Sequence, residues 1–374
     1  MFRENIIAEL KAKIANDPSD VENYKNLANY YVGCDDLNNA LLTYKEVLKI
    51  IPNDIQTLIN LGSICYYRKM YVESINYYNS VIELDSKNYA PYYNLGNVYA
   101  EIENFELALL NYEKALEIDN QRAEIYSSLG YLFQDVGNLE EAKKYYQKAI
   151  KLDCTNFENY INIANIEQKI GHLEDAVINY QRACELNPND AKAQLCLANA
   201  YVSLKEFKCA QLCFKKVFQI DPNYYSAWVC SAIAYCDDNN SQEAIEQLKH
   251  AIEIDPAKPN AYILLANILV DEKRYDEALN IYKTVSQIVP NTPKILTLIA
   301  NVYAILENYI QAVKYYKKAM KIAPKDNEIK LIYIEMVNSY INEKMKGLKW
   351  GFLLVIEWFL FWPILLLGCS VWYG

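Results

Sequence analysis

Asparagine recurs along this chain in a register of 34 residues. The residues in this register are Asn29, Asn97, Asn165, Asn199, Asn267 and Asn301. A carboxamide both donates and accepts hydrogen bonds, so a column of such side chains can hold the backbone of an extended peptide without reading its side chains. A second interpretation is equally open: each amide bonds to a neighbouring repeat, or a codon bias favours asparagine here.

Ten cysteines and two histidines show no metal-binding or redox spacing. No CxxC pair occurs. Cys209 and Cys213 are four residues apart, and we interpret them as small apolar packing residues in a reducing compartment. His172 falls in a predicted turn and His250 near a predicted helix end. Neither histidine has a visible partner in the sequence, which favours a solvated surface role. We expect no metal and no cofactor.

Sequence motifs for catalysis are also missing. The chain has no P-loop, GxSxG or HExxH motif, each of which places a reactive group in a defined local structure. Its formal net charge of -10 argues against nucleic acid as a partner, because such footprints are basic. We therefore expect a protein that is not an enzyme.

Proline recurs with the same period as asparagine, at a different position of the repeat. Seven prolines fall on one 34-residue grid: Pro18, Pro52, Pro188, Pro222, Pro256, Pro290 and Pro324. A constant period of this length is typical of arrays of helix–turn–helix units, in which each unit packs only on its neighbours. Since proline lacks an N–H and disfavours the α conformation in the residue before it, each grid point predicts a helix end.

Counted in units that start at residue 21, three positions keep their size in all nine repeats. Positions 8 and 20 are small and position 24 is large and mostly aromatic, as Gly96, Ala108 and Tyr112 show in the unit 89–122. Small residues let two helices approach closely while a large ring fills the space beside them. This pattern resembles the tetratricopeptide repeat (TPR) family over about four-fifths of the chain.

The resemblance implies an all-α protein, a right-handed superhelical α-solenoid. We expect an N-terminal capping helix in 1–20, nine TPR units in 21–326, a capping helix in 327–347 and a hydrophobic helix in 348–374. Within a unit, helix A is expected at about positions 1–14 and helix B at about positions 15–28. The unit 225–258 departs most from the pattern, with Ser231 at the usual leucine position, and is expected to be the loosest.

The family resemblance also implies that the A helices line a concave, partner-binding face. The asparagine register resembles the asparagine ladder of the TPR arm in protein O-GlcNAc transferases. Lys25, Asn29 and Asn60 match two helices of the carboxylate clamp of chaperone-binding TPR domains, but Ala90 and Asn94 replace the cations of the third. The predicted partner-binding residues are Lys25, Asn29, Asn60, Asn97, Asn165, Asn199, Asn267 and Asn301.

The last segment has a different composition, because residues 350–374 contain no Lys or Arg and a single acid, Glu357. About twenty-four helical residues span roughly 36 Å, enough for a bilayer core of about 30 Å. Its aliphatic and phenylalanine side chains contribute about −4 to −8 kcal/mol, against about 2.5–3.5 kcal/mol for a central acid. The predicted membrane-anchoring residues are Trp350, Glu357, Trp358, Trp362, Pro363 and Trp372.

Three arrangements of this segment remain open: a single spanning tail anchor in contact with membrane lipid, a helix lying in one leaflet or a hairpin about Pro363, and a helix buried against protein. If it spans, Lys344, Lys346 and Lys349 place the repeats in the cytoplasm. The sequence thus predicts a membrane-tethered scaffold that binds peptide or helical segments of other proteins. The alternative is an accessory subunit that presents substrates or partners to an enzyme or secretion complex, for example a glycosyltransferase; a purely structural membrane subunit is the third class.

Overall fold

The structure is a computed structural model that describes residues 2–347. It contains two compact units, one ending at Glu206 and the other beginning at Phe207. No helix within residues 2–347 combines the length and the apolar character needed to cross a bilayer. The predicted hydrophobic helix lies outside the described residues, together with its anchoring residues Trp350, Glu357, Trp358, Trp362, Pro363 and Trp372.

The first unit consists of helices only, among its described residues. A leading helix is followed by five helical hairpins and one further helix. Their bounds are α1 (Phe2–Asn16), α2 (Val21–Gly33), α3 (Leu37–Ile50), α4 (Ile55–Tyr67), α5 (Tyr71–Leu84), α6 (Tyr89–Glu101), α7 (Phe105–Ile118), α8 (Ala123–Asp135), α9 (Leu139–Leu152), α10 (Phe157–Ile170), α11 (Leu173–Leu186) and α12 (Ala191–Ser203). Each helix packs mainly on its neighbours in sequence, and α6 also packs on α4 and on α8.

The second unit repeats this plan. One helix precedes three hairpins, and a longer helix follows them. The bounds are α13 (Phe207–Ile220), α14 (Tyr225–Asp237), α15 (Ser241–Ile254), α16 (Pro259–Asp271), α17 (Tyr275–Ile288), α18 (Pro293–Ile305), α19 (Tyr309–Ile322) and α20 (Asn327–Gly347). The division between the two units falls inside the repeat that the sequence assigns to 191–224, between its two helices.

The turn inside each repeat differs from the sequence prediction. Helix A covers positions 1–13, or 1–14 in α10, and helix B covers positions 17–30, so helix B starts two residues later than expected. The reason is a left-handed residue at position 15, which closes helix A in all nine repeats. Seven of these residues are not glycine, and the set is Asp35, Lys69, Glu103, Gly137, Gly171, Lys205, Asn239, Lys273 and Glu307. Helices commonly end in this way, but usually with glycine, so most of these turns carried no sequence signal.

Helix B then begins at a capping residue in position 16. The side chains of Asp36, Asn104, Asn138 and Asn308 accept a hydrogen bond from the backbone N–H three residues later. Such a bond satisfies one of the free N–H groups of the first turn. These four side chains thus stabilise the start of helix B in their repeats.

The core of each hairpin lies where the small and large positions meet. In the hairpin of α6 and α7, Tyr112 is 2% exposed and packs with the fully buried Ala108 and Ala115. A Cβ atom on Gly96 would lie 2.5 Å from the ring of Tyr112, so the missing side chain admits the ring. The ring of Tyr112 therefore packs directly against Gly96, and its hydroxyl donates a hydrogen bond to Asn97 on the same A helix.

Candidate functional site

The predicted asparagine column lies on the A helices, and five of its six members are hydrogen-bonded inside their own repeat. Each accepts a hydrogen bond at Oδ1 from the hydroxyl of the position-24 tyrosine, fifteen residues later. The pairs are Tyr44 with Asn29, Tyr112 with Asn97 (2.7 Å), Tyr180 with Asn165 (2.5 Å), Tyr282 with Asn267 (2.5 Å) and Tyr316 with Asn301. Neither a neighbouring repeat nor codon bias is needed to explain the asparagines at these five positions.

The tyrosines at position 24, including Tyr78, are buried in their hairpins. Burial raises the pKa of Tyr78 and of Tyr282 to about 12, because a phenolate loses its hydration inside the hairpin. The hydroxyl group thus stays protonated and acts as a donor. A buried hydroxyl without an acceptor is costly, at about 1–3 kcal/mol, which gives position 9 a structural reason to be polar.

The repeats that depart from the pattern support this reason. Ser63 replaces asparagine in one repeat, and its Oγ lies 3.0 Å from the hydroxyl of Tyr78. Where Leu248 replaces the tyrosine, position 9 is the apolar Ile233. In the repeat with Tyr131 at position 9, Tyr146 donates instead to Gln134 at 3.4 Å. Outside the repeat that contains Asn199, the residue at position 9 therefore follows the presence or absence of a hydroxyl at position 24.

Asn199 is the exception within the column. The position-24 residue of its repeat is Phe214, which has no hydroxyl. Within residues 2–347 the side chain of Asn199 makes none of the hydrogen bonds that define the other five pairs. It is the one column member whose amide is not needed to satisfy a tyrosine.

The tyrosine–asparagine pairing determines which polar group of each asparagine is available at the surface. Because Oδ1 accepts from tyrosine, the free polar group of each paired amide is its Nδ2, which donates to no group among the described residues. Asn29, Asn165, Asn267 and Asn301 are exposed, and Asn97 is half-buried. The column can thus offer hydrogen-bond donors to carbonyl or carboxylate oxygens.

Lys25 and Asn60, the other predicted binding residues, are occupied within the protein. Lys25 Nζ lies 2.8 Å from Oδ1 of Asp54, the N-cap residue of α4. Asn60 Nδ2 donates to the Tyr44 hydroxyl at 2.9 Å, so that Tyr44 joins Asn29 of one repeat to Asn60 of the next. A carboxylate clamp would have to break these bonds, and the structure therefore gives Lys25 and Asn60 a role in joining repeats.

Both histidines are exposed at the surface, as the sequence predicts, but each has a partner that the sequence did not indicate. Nδ1 of His172 lies 3.0 Å from Oε2 of Glu167, a carboxylate that is 3% exposed and also pairs with Lys143. His250 packs on the ring of Trp228, with 4.8 Å between ring centroids. Glu167, His172 and Asp175 have the spacing of a metal site. However, the Lys143 ammonium already neutralises Glu167, which makes the group an internal ion pair.

Among the described residues the cysteines form no disulfide. Cys213, one of the pair singled out in the sequence, is buried, and burial raises the pKa of its thiol to about 11. A thiol in this environment is mostly uncharged and unreactive near neutral pH.

The described hairpins, with their small residues at positions 8 and 20 and their large residue at position 24, define a TPR protein. Residues 154–346 match the family model of the cilia and flagella-associated protein 70 C-terminal domain, which covers just over half of the chain. The chain belongs to this family of TPR domains. Residues 96–137 and 123–153 also match general models of the TPR repeat. TPR proteins generally mediate protein–protein interactions.

Several solved structures are similar to the chain. A TPR protein from Parabacteroides merdae is 18% identical over 68% of this chain and 98% of its own, with a TM-score of 0.50, and shares the fold. YrrB, described as a TPR protein with an unusual peptide-binding site, is 28% identical over 49% of this chain and 95% of its own, with a TM-score of 0.44. MamA is 27% identical over 46% and 93% respectively, with a TM-score of 0.43. No curated protein matches the chain at a significant level.

Proposed function

We propose that this protein is an interaction scaffold that binds extended segments of partner proteins along the A helices of each unit. The observation that carries this function is the tyrosine–asparagine hydrogen bond. It occupies the acceptor of five of the six amides, all but Asn199, and leaves their Nδ2 donors for the carbonyl oxygens of a peptide. The first unit contributes Asn29, Asn97, Asn165 and Asn199, and the second contributes Asn267 and Asn301.

The amides alone are too weak for a stable complex. Four neutral hydrogen bonds contribute at most about 6 kcal/mol in total, less than the roughly 8 kcal/mol of micromolar affinity. Side-chain contacts must supply the difference. Tyr67 on α4 and Tyr131 on α8 are 73% and 42% exposed, and both can pack against an incoming segment. We assign no catalytic step to the chain.

Asparagine-to-aspartate substitution tests this function without disturbing the core. In a variant with Asn97→Asp, Asn165→Asp and Asn199→Asp, the tyrosines keep an acceptor while the donors are lost. We expect recovery of partners by affinity purification of the full chain in mild detergent to fall by at least about tenfold, because three hydrogen bonds are lost. Recovery of every partner at the original level would remove the asparagine column as a binding site.

The matched control places the same charges elsewhere. Asn76, Asn79 and Asn280 are exposed asparagines of second helices, outside the column. Their substitution by aspartate adds an equal charge and should leave partner recovery unchanged. A loss of equal size in the control would show that added charge, rather than lost donors, is responsible.

We further propose that the scaffold is tethered to a membrane by residues 348–374, with the repeats on the cytoplasmic side. The apolar composition of 350–374 and the lysines before it support this. A chain that ends at Gly347 should lose flotation with lipid vesicles while keeping its partners. Equal flotation of both chains would contradict the tether and leave the peptide-binding function unaffected.

A further inference from the structure

A cleft of about 640 Å³ opens between α13, α14 and α15 in the second unit. Its floor contains Ser231 on α14 and Gln247 on α15, and its walls include Phe218 and Trp228. The rim is formed largely by α13 and α15, the second helices of their repeats. The asparagine column, by contrast, lies on first helices, so the cleft is a separate surface.

The cleft exists because one packing residue is too small. Ser231 occupies position 7, where each other repeat has a leucine or isoleucine that is buried. These are Leu27, Leu61, Leu95, Leu129, Ile163, Leu197, Leu265 and Ile299. Ser231 is itself only 2% exposed, and its single described hydrogen-bond partner, Gln247 Oε1, is at the long distance of 3.4 Å. The junction therefore contains an unfilled space with a weakly satisfied polar group at its base.

The aromatic wall of the cleft is held in place before any ligand arrives. Trp228 stacks on Phe218 with 3.7 Å between ring centroids and an interplanar angle of 13°. Its indole N–H donates to the carbonyl oxygen of Pro222 at 2.8 Å. A rigid aromatic surface gives large contact area at low entropic cost, so an apolar side chain can enter without reorganising the wall.

The charge around the cleft is opposite to that of the whole chain. Lys208 and Lys215, seven residues apart on α13, line it with exposed side chains, and His250 lines it from α15. None of the residues that line it is acidic; the carboxylate nearest to His250 is that of Glu253, at 3.5 Å. Neither lysine forms an ion pair among residues 2–347. A basic rim on a chain of net charge -10 is complementary to an acidic partner.

We propose that this cleft binds an acidic peptide segment of a partner protein. One apolar side chain of the segment enters the space beside Ser231 and packs on Trp228, while flanking carboxylates pair with Lys208 and Lys215. In such an arrangement the buried apolar side chain provides most of the affinity. The charges at the rim increase the association rate and the specificity.

Fluorescence anisotropy with the full chain in mild detergent tests this site. The probe is a labelled synthetic peptide of aspartate, glutamate and serine around a single phenylalanine. Two comparison peptides replace the phenylalanine by serine or the acids by lysine. We expect the acidic phenylalanine peptide to bind at least about tenfold more tightly than either, and its affinity to fall as salt is raised. Equal binding of all three peptides, or preference for the lysine peptide, would overturn the assignment.

Two protein variants locate the binding. Ser231→Leu restores the residue type of the other repeats and fills the space, so it should weaken the peptide by about tenfold while the melting temperature stays equal or rises. If leucine disturbs folding, the exposed pair Lys208→Glu with Lys215→Glu gives an independent measurement and should also weaken binding. The aspartate variant of the asparagine column should bind the peptide normally. A peptide that binds every folded variant equally is not in the cleft.

Discussion

The hydroxyl of Tyr112 donates a hydrogen bond of 2.7 Å to Oδ1 of Asn97, fifteen residues earlier in the same hairpin. This bond gives one side chain two functions. The amide oxygen satisfies a buried tyrosine and the amide nitrogen remains at the surface. Because the ring of Tyr112 packs directly against Gly96, the core of the hairpin sets the direction of the Asn97 donor.

Replacement of either partner should destabilise the repeat, and the two effects should not add. Tyr112→Phe removes the donor and should cost about 1 kcal/mol in the free energy of unfolding. Asn97→Ala leaves the hydroxyl without its acceptor and should cost a similar amount. Since both variants lose the same bond, we expect a coupling of at least about 0.5 kcal/mol in the double variant, measured by urea denaturation.

Asn199 provides the control for this cycle. With Phe214 at position 24, no tyrosine hydroxyl depends on it, so Asn199→Ala should change the free energy of unfolding by less than about 0.5 kcal/mol. Additive costs for Tyr112 and Asn97, or a large cost for Asn199, would show that the amides stabilise the repeats in some other way.

Glycine at position 8 is required by the ring that it faces. In Gly96→Ala the new Cβ would lie 2.5 Å from atoms of the Tyr112 ring, and the ring has to shift. Overpacking of this kind typically costs about 1–3 kcal/mol, of which the better helix propensity of alanine returns about 1 kcal/mol. We expect a net loss of about 1 kcal/mol in the free energy of unfolding.

The comparison substitution is Gly33→Ala. Gly33 is the last residue of α2, and nothing lies within 4 Å of an added Cβ there. This variant should be as stable as the natural chain or more stable by up to about 1 kcal/mol. Equal effects at Gly33 and Gly96 would show that helix propensity, rather than contact with Tyr112, determines stability at these glycines.

The fold of each hairpin could be predicted from the sequence because its signals repeat. The 34-residue period, the small residues at positions 8 and 20 and the ring at position 24 all report one packing arrangement. A single repeat such as 225–258 would have been ambiguous, since Ser231 and Leu248 replace two of these residues. The period set by the other repeats identified the equivalent positions in this unit, where the local sequence pattern is weak.

The features that the sequence did not predict depend on three-dimensional geometry and not on the type of residue at one position of the repeat. The columns of Asn97 and Tyr112 were each visible, but their fifteen-residue offset indicates a hydrogen bond only when the hairpin geometry is known. Lys69 and Glu103 take left-handed conformations that their side chains do not favour, so the turn was placed two residues away. Glu167 and Lys143 come from different repeats, and no local pattern joins them.

The buried tyrosines predict a loss of stability at alkaline pH. The ordinary pKa of tyrosine is about 10, and burial raises the pKa of Tyr78 and Tyr282 to about 12 in the folded protein. Below pH 10 both states hold the phenolic proton and the contribution is complete. As pH rises from about 10 to about 12, only the unfolded chain releases protons, so the free energy of unfolding falls.

Urea denaturation at increasing pH, with tyrosinate absorbance recorded in parallel, measures this effect. We expect stability to decline above about pH 10, and part of the absorbance to appear only as helix content is lost. A variant with Tyr78→Phe and Tyr282→Phe should show a shallower decline. If these tyrosines ionise while the helices stay intact, their hydroxyls are accessible to solvent and the proposed rigid pairing is wrong.

The ion pair between Lys143 and Glu167 should contribute far more to the free energy of unfolding than the neighbouring ion pair between Lys144 and Glu141. Glu167 is 3% exposed, whereas the side chains of Lys144 and Glu141 are 61% and 40% exposed. Lys143→Met leaves a buried carboxylate with only His172 and should cost about 3 kcal/mol, while Lys144→Met should cost less than about 1 kcal/mol. Glu167→Gln added to Lys143→Met removes the stranded charge and should restore much of the loss in thermal and urea denaturation. If the double variant is less stable than Lys143→Met, the carboxylate has a stabilising partner beyond Lys143, and His172 on the neighbouring turn is the group to test next.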